Sequence, residues 1–256
     1  MTSRTLLAAS LLALATSADA TAEPTEITVR VVAKGAKFIG SSMGGVLITL
    51  KDADTGQLLA KGVVAGSTGD TPRIMVAERT VHSTLSTPDA ACFTAKIDVD
   101  EPRRVEVTAF GPLAQRQSAG RVSATQWIVP GKHVTGGDAW LLEMPGLVVD
   151  VLAPPAHLKL KGAPQTIKLR ANVTMMCGCP IAPDGLWDTE EFEIVAIVKR
   201  DGQETARLPM KFAGVPSQFE AACEAKEPGL YDVTVYAHQP ANGNTGLDRV
   251  TWMISD

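Results

Sequence analysis

Apolar and polar residues alternate with a period of two through much of this chain, which is the pattern of β-strands that bury one face. The clearest case is Thr166–Cys177, where the odd-numbered positions from Ile167 onward are apolar and the even-numbered positions up to Thr174 are polar. The sequence has no segment with the 3.6-residue apolar period of a long, capped helix. The pattern therefore predicts an all-β chain.

Short β-prone runs separated by turn residues fill the first half of the chain. They are Ile27–Val32, Val46–Leu50, Gln57–Val64, Phe93–Val99, Val105–Phe110, Ser123–Val129 and Ala139–Met144. Asp52–Gly56 carries turn residues between two of these runs, which predicts a β-hairpin. Ser67–Ala91 has no regular pattern and is predicted to be a loop. We interpret residues 23–146 as one β-sandwich domain.

The second half begins after Pro145-Gly146 and repeats the same kind of pattern. Seven runs follow, with turns at short spacing: Leu147–Leu152, Thr166–Cys177, Phe192–Lys199, Ala206–Phe212, Gln218–Glu224, Leu230–Ala237 and Arg249–Ile254. Short strands with regularly spaced turns are typical of a β-sandwich. We predict a second domain over residues 147–256, so the fold class is two tandem β-sandwiches.

The segment Glu227–Ala237 resembles the penultimate strand of immunoglobulin-like and fibronectin-type modules. Those modules have a Pro-Gly turn followed by a buried tyrosine, the tyrosine corner, and Tyr231 matches that tyrosine. Val233 stands where antibody domains carry their second cysteine, so the resemblance implies a sandwich without the usual inter-sheet disulfide. In the first half, Val46–Val64 resembles the transthyretin-like or carboxypeptidase-regulatory type of sandwich. Both resemblances concern the fold and imply no function.

The first residues have the layout of a secretory signal peptide. Arg4 precedes the apolar run Leu6–Ala15, and the small residues of Ala18–Ala20 fit a cleavage site. This run of ten residues, apolar except for Ser10, is shorter than the roughly 20 that a helix needs to cross a bilayer. We therefore predict that residues 1–22 are a signal peptide, that the mature chain has no transmembrane segment, and that it is periplasmic or secreted.

Charge and motif content narrow the classes of function. The net charge is −4 and no basic cluster occurs, which argues against a nucleic-acid ligand. The sequence has no Gly-x-Ser-x-Gly elbow, and no nucleophile, base and acid can be combined without arbitrary choice, so an enzyme has little support. A protein partner or a small ligand fits the composition, and the oligomeric state stays open.

The segment Met175–Pro180, with the sequence MMCGCP, is the chemically most distinctive part of the chain. If the strand stays extended, Met175, Cys177 and Cys179 point to the core side and Met176 points away. His238 borders a second loop that should lie at the same end of the sandwich. Soft thiolate and thioether ligands favour Cu(I). Met175, Cys177, Cys179 and His238 are therefore candidate metal ligands, with copper as the metal.

The same cysteines allow a structural interpretation. An oxidising compartment lets the four cysteines pair in three ways. Gly178 makes a Cys177–Cys179 bond sterically conceivable, and if Cys92 pairs at all, Cys179 is the partner we expect. Cys223 is predicted to be a lone buried thiol, with a disulfide as the alternative that stays open. Buried methionine and cysteine are also ordinary core residues.

Two functions remain from the sequence. The first is a secreted or periplasmic, non-enzymatic binding or accessory protein that handles a soft metal such as copper through Met175–Cys179. The second is a structural or assembly module of an envelope complex, built from disulfide-stapled β-sandwiches. Trp187 belongs to the loop after the cysteine pair. It is predicted to cap the open end of the second sandwich, with a ligand-lining role as the alternative.

Overall fold

The computed structural model describes residues 23–256 and confirms the all-β prediction, with sixteen strands in four sheets. The predicted signal peptide lies outside the described residues. The strands of the first half are β1 Glu23–Ala33, β2 Leu47–Asp52, β3 Leu58–Val63, β4 Phe93–Val99, β5 Arg103–Gly111, β6 Gly120–Ile128 and β7 Trp140–Met144. Those of the second half are β8 Leu147–Ala153, β9 Leu158–Lys161, β10 Gln165–Met175, β11 Glu193–Arg200, β12 Gln203–Pro209, β13 Lys211–Phe212, β14 Gln218–Ala225, β15 Gly229–Gln239 and β16 Asn244–Ser255.

Helical structure in the described residues is limited to single turns. They are Ser41–Met43, Pro72–Val76, Arg116–Ser118 and Thr189–Glu191. Within residues 23–256 no helix has the length and apolar character needed to cross a membrane. The predicted loop Ser67–Ala91 is irregular apart from one of these turns.

The first domain packs a three-stranded sheet, in the order β4-β1-β7, against a four-stranded sheet, β3-β2-β5-β6. Strand β1 is central in its sheet, antiparallel to β4 and parallel to β7, so that Val29 lies beside both Phe93 and Trp140. Ile27, Val29 and Val31 are fully buried, as the alternating pattern of this strand requires. The transthyretin-like assignment of this domain stays a prediction.

The predicted hairpin is present as β2 and β3, and a carboxylate organises its turn. An oxygen of Asp52 accepts hydrogen bonds from the backbone N–H groups of Asp54, at 2.9 Å, and Thr55, at 2.7 Å. The Thr55 N–H contributes most to lowering the pKa of Asp52 below its ordinary value. An aspartate at this position thus stabilises the turn that aligns the two strands.

The second domain packs the sheet β13-β14-β10-β8 against the sheet β12-β11-β15-β16-β9. The prediction of seven strands is wrong in two places. Strand β9 was missed because it is four residues long and pairs in parallel with the distant β16. The predicted run Ala206–Phe212 is split at Met210, whose N–H bonds Ile194 at 2.8 Å, so β12 and β13 lie in different sheets.

Tyr231 forms the tyrosine corner that its sequence context implies. Its side chain is 3% exposed, and its hydroxyl donates a hydrogen bond of 2.7 Å to the backbone carbonyl of Glu227. The ring stacks on Trp252 with 5.3 Å between centroids. Val233 is fully buried and takes the place of the absent cysteine. The strand order and this corner together confirm an immunoglobulin-like, fibronectin-type sandwich.

Candidate functional site

The segment after β10 folds into a closed turn. Strand β10 ends at Met175, whose carbonyl accepts a hydrogen bond of 2.8 Å from the N–H of Gly178. Gly178 has a φ of +79°, a conformation that favours glycine, and Cys177 and Cys179 on either side of it form a disulfide. The expectation that Met176 points away from the core is wrong. Because the chain turns here, the Met176 side chain is buried, 1% exposed.

The four cysteines divide into one bonded pair and two free thiols. Cys179 is bonded to Cys177 and is not available to Cys92, so the expected Cys92–Cys179 bridge between the domains is not formed. Cys92 is half-buried beside Ala65 in the first domain. Cys223 is a buried free thiol, as predicted, and its burial raises its pKa.

The disulfide loop lies against the first domain. The indole N–H of Trp187 donates a hydrogen bond of 3.0 Å to the backbone carbonyl of Gly35, and Trp187 is 7% exposed. The thioether of Met43 lies directly over Gly178, where an added Cβ would be 2.6 Å from its sulfur. Trp187 therefore caps the end of the second sandwich, as predicted, and the surface that it caps against is the other domain.

The loop between β15 and β16, which follows His238, contacts the turn of the first domain that includes Gly35. The ammonium group of Lys34 donates to the carbonyl of Asn242 at 2.8 Å, and the amide of Asn244 donates to the carbonyl of Lys34 at 3.0 Å. Asn244 is 1% exposed, and its side-chain oxygen accepts a hydrogen bond from the N–H of Gly146. The turn at Lys34 and Gly35 therefore bonds to two loops of the second domain, the loop that contains Trp187 and the loop between β15 and β16.

A third contact covers the edge of the second sandwich. Strand β8 is at the edge of its sheet, and its Val149 faces the helical turn Arg116–Ser118 of the first domain. The amide of Gln117 donates to the carbonyl of Val149 at 2.9 Å, and the hydroxyl of Ser118 accepts from the Val149 N–H at 3.2 Å. Backbone groups that an edge strand would leave open are satisfied by the neighbouring domain.

We use the name domain junction for these three contacts, made by the turn Lys34–Gly35, by Met43 and by the turn Arg116–Ser118. The buried residues on both sides of it belong to one continuous hydrophobic cluster. That cluster includes Met43 and Met144 of the first domain and Leu147 and Met176 of the second. The cysteine loop is therefore an interior part of a two-domain unit.

The structure brings three of the four candidate metal ligands together. Met175, Cys177 and Cys179 are buried at the end of β10, while His238 lies on the outward face of β15. The His238 side chain is 36% exposed, and its Nδ1 is 3.8 Å from a carboxylate oxygen of Glu193. Among residues 23–256, no three His, Cys, Asp or Glu side chains form a group able to hold a metal ion.

Met43 is the junction residue that sequence reasoning missed. Its thioether sulfur lies over Gly178 of the cysteine loop, and Met175 and Met176 belong to the same buried hydrophobic cluster. Its position in the segment Gly40–Gly45 gives no periodic signal. The contact arises because the first domain docks on the second, which a local pattern does not encode.

Comparison with known proteins finds structures with a similar fold and assigns the chain to no family. No protein-family model matches the sequence, and no curated protein matches it. The fibronectin(III)-like modules of CbhA from Clostridium thermocellum align over 91% of this chain and 94% of theirs, with 13% identity and a TM-score of 0.30. The titin Z1Z2 domains in complex with telethonin align over 91% of this chain and 96% of theirs, with 12% identity and a TM-score of 0.26. Likenesses this distant carry no functional argument, and the fold class rests on the sheets and the tyrosine corner described above.

Proposed function

We propose that this chain is a non-enzymatic structural or binding module that works outside the cytoplasm and holds its two sandwiches as one rigid body. The observation that carries the proposal is the domain junction. Domains joined by a short link normally move relative to each other unless a large apolar interface prevents it. Here the shared hydrophobic cluster and the hydrogen bond from Trp187 to Gly35 fix their relation. Such a unit can present surfaces of both sandwiches to a partner in one geometry.

Measurement of rotational diffusion tests the rigid unit. In ¹⁵N relaxation experiments on the full chain, amides of both domains should give one common correlation time. Trp187→Ala removes the hydrogen bond to Gly35 and a buried ring, and should split the correlation times into two sets. Trp127→Ala is the matched control, because Trp127 is 64% exposed and far from the contacts of the domain junction. Independent tumbling in the unmodified protein would contradict the proposal.

Export is the second part of the proposal. It is supported by the leader-like residues 1–22 and by the Cys177–Cys179 disulfide, since disulfides persist mainly in oxidising compartments. Expression of the full chain followed by cell fractionation should give a processed protein that begins near residue 23. Thiol counting should find two free thiols, Cys92 and Cys223. A full-length cytoplasmic protein with four free thiols would contradict export.

Soft-metal binding is the second candidate function, and the position of Met43 favours it. The Met43 thioether lies over Gly178, between the two cysteines, and Met175 and Met176 directly precede Cys177 in the chain; thioether and thiolate sulfurs are donors that suit Cu(I). Binding first requires reduction of the disulfide. An external dithiol supplies two electrons and two protons, is itself oxidised to a disulfide, and leaves two thiols on Cys177 and Cys179. Cu(I) then displaces the thiol protons and binds the thiolates.

Titration with Cu(I) separates this candidate from the purely structural one. The reduced full chain should take Cu(I) from a chromogenic chelator, while Cys177→Ser with Cys179→Ser should not. Met43→Leu should weaken binding, and Met253→Leu, which changes an exposed methionine of the second domain, should not. His238→Ala distinguishes the four-residue set predicted from the sequence from a site made of sulfurs alone. Failure of the reduced protein to compete with the chelator would remove metal binding as a function.

A further inference from the structure

A concavity of about 440 Å³ lies at the end of the first domain, away from the domain junction. It is bounded by the hairpin turn Asp54–Gln57, by Glu101 and Pro102 in the turn between β4 and β5, and by Trp127 of β6. Its volume is within the range of sites that bind small molecules. It has no part in the proposed function.

Trp127 is the unusual residue of this concavity. Its side chain is 64% exposed, whereas the other three tryptophans of the chain, Trp140, Trp187 and Trp252, are at most 7% exposed. It lies on the outward face of β6, directly across from Arg104 of β5. Exposed indole rings at the edge of a concavity are typical of recognition sites, where aromatic side chains contribute most of the binding energy.

Four of the five charged side chains that line the concavity form two ion pairs, and the fifth, Glu101, adds one carboxylate. Arg104 forms an ion pair with Asp54, and Arg103 lies 3.5 Å from Asp52 and 3.1 Å from Asp100. A strongly charged ligand would have to break these pairs. A ligand with hydroxyl groups would not, because hydroxyls both donate and accept. Each carboxylate has further acceptor sites and each guanidinium further N–H groups, so both can bond hydroxyls while the pairs stay intact.

We infer that this concavity binds a neutral carbohydrate, with the apolar face of one sugar ring against the indole of Trp127. The hydroxyls of the sugar would bond the Asp54–Arg104 pair and the amide of Gln57, which lines the same concavity. A sugar ring combines a C–H face with hydroxyls at its rim, and this concavity combines an open aromatic ring with paired charges. The inference goes beyond the proposed structural role and does not depend on the domain junction.

Tryptophan fluorescence tests the site directly, because Trp127 is the one indole of the chain that is well exposed. The full-length protein is titrated with chitohexaose, cellohexaose and maltohexaose in turn. At least one of them should shift the emission to shorter wavelength and protect it from acrylamide quenching. Trp127→Ala should weaken binding of that sugar by on the order of tenfold or more, as for an aromatic anchor. Leu247→Ala, an exposed apolar residue of the second domain, should leave it unchanged.

Four results would overturn the inference, three that concern Trp127 and the neutral sugars and one that concerns an acidic sugar. The first is that none of the three oligosaccharides binds at millimolar concentration while Trp127 remains accessible to acrylamide. The second is that a sugar binds equally well to Trp127→Ala. The third is that Trp127 becomes protected only as the protein concentration rises, which would show that a second copy of the chain covers it. Binding that persists in high salt would support a neutral ligand, and binding of acidic oligogalacturonate alone would contradict one.

Discussion

Single polar side-chain groups stabilise several turns and loops of this molecule through hydrogen bonds to the backbone. Asp52 organises a hairpin turn, Asn244 satisfies backbone groups of both domains, and Tyr231 fixes the start of β15. Each of these residues is buried, and each forms at least one hydrogen bond with backbone. Substitutions that remove one polar atom are therefore more informative here than substitutions that remove a whole side chain.

Tyr231→Phe removes the hydroxyl that bonds the Glu227 carbonyl and leaves the ring stacked on Trp252. We expect the free energy of unfolding to fall by about 1 kcal/mol, the net value of a single hydrogen bond. Urea unfolding followed by circular dichroism measures the change. Tyr236→Phe alters the other tyrosine of the chain, which is half-buried, and should cost less. Equal effects of the two substitutions would show that the corner does not stabilise the domain.

Asp150 carries a charge that the folded protein disfavours. Burial, and then the nearby carboxylate of Asp248, raise its pKa above the ordinary 3.8. A raised pKa means that its contribution to stability is full below pH 3.8 and is lost as the pH rises through the folded-state pKa. Asp150→Asn should therefore unfold at a higher urea concentration than the unmodified protein at pH 7, with no such gain at pH 3. Asp98→Asn, at an exposed position, should show no gain at either pH.

At the scale of elements, the contact between β8 and β16 depends on a glycine. An added Cβ at Gly246 would lie 2.1 Å from the backbone oxygen of Leu147, and backbone atoms cannot move aside as a side chain can. Gly246→Ala should destabilise the protein by about 1–3 kcal/mol or more, as other overpacking substitutions do. Gly120→Ala adds a Cβ in open space and is the control. Thermal melts of both variants would contradict this account if the two melting temperatures matched.

Sequence periodicity predicted a strand well where the prediction did not depend on which other strands pair with it. The alternation of Thr166–Met175 matches β10, in which the odd-numbered positions from Ile167 are buried and the even-numbered positions are exposed or half-buried. It failed at Met176, because a turn centred on Gly178 replaces the extended backbone that the pattern assumes. It also failed at Met210, where the chain passes from one sheet to the other directly after Pro209, within a run that was predicted as one strand. Periodicity reports which face is buried, and it does not report which sheet a strand joins.

At the scale of the whole molecule, contact with the first domain covers the candidate site of the second domain. The sequence correctly indicated that Met175, Cys177 and Cys179 lie close together at one end of a sandwich. It gave no sign that Met43 and Gly35 cover that end, since those contacts join segments far apart in the chain. Docking of domains depends on matching surfaces, and one sequence shows only the residues that each surface contains.

Replacing both Cys177 and Cys179 by serine tests the role of the disulfide in the domain junction. The bond closes a loop of sequence separation 2, so the loop-entropy model assigns it only about 1.5 kcal/mol, less than the usual 2–5 kcal/mol for a native bridge. We expect that loss in urea unfolding, and the same loss when the unmodified protein is reduced. A much larger loss would mean that the bond holds the domains together by more than closing its own turn.

Because β1 pairs with β7, the sheet that contains β1 can be completed only after β7 has been synthesised. During synthesis β1 is made before β4 and β7, and β4 can protect only one of its edges. The other edge stays open until Trp140–Met144 arrives, and it belongs to a strand whose Ile27, Val29 and Val31 are apolar. Open edges of apolar strands are where chains associate with one another. Products that stop before Met144 are therefore the forms of this protein most prone to aggregate, and a chaperone that recognises extended apolar segments would act on them first.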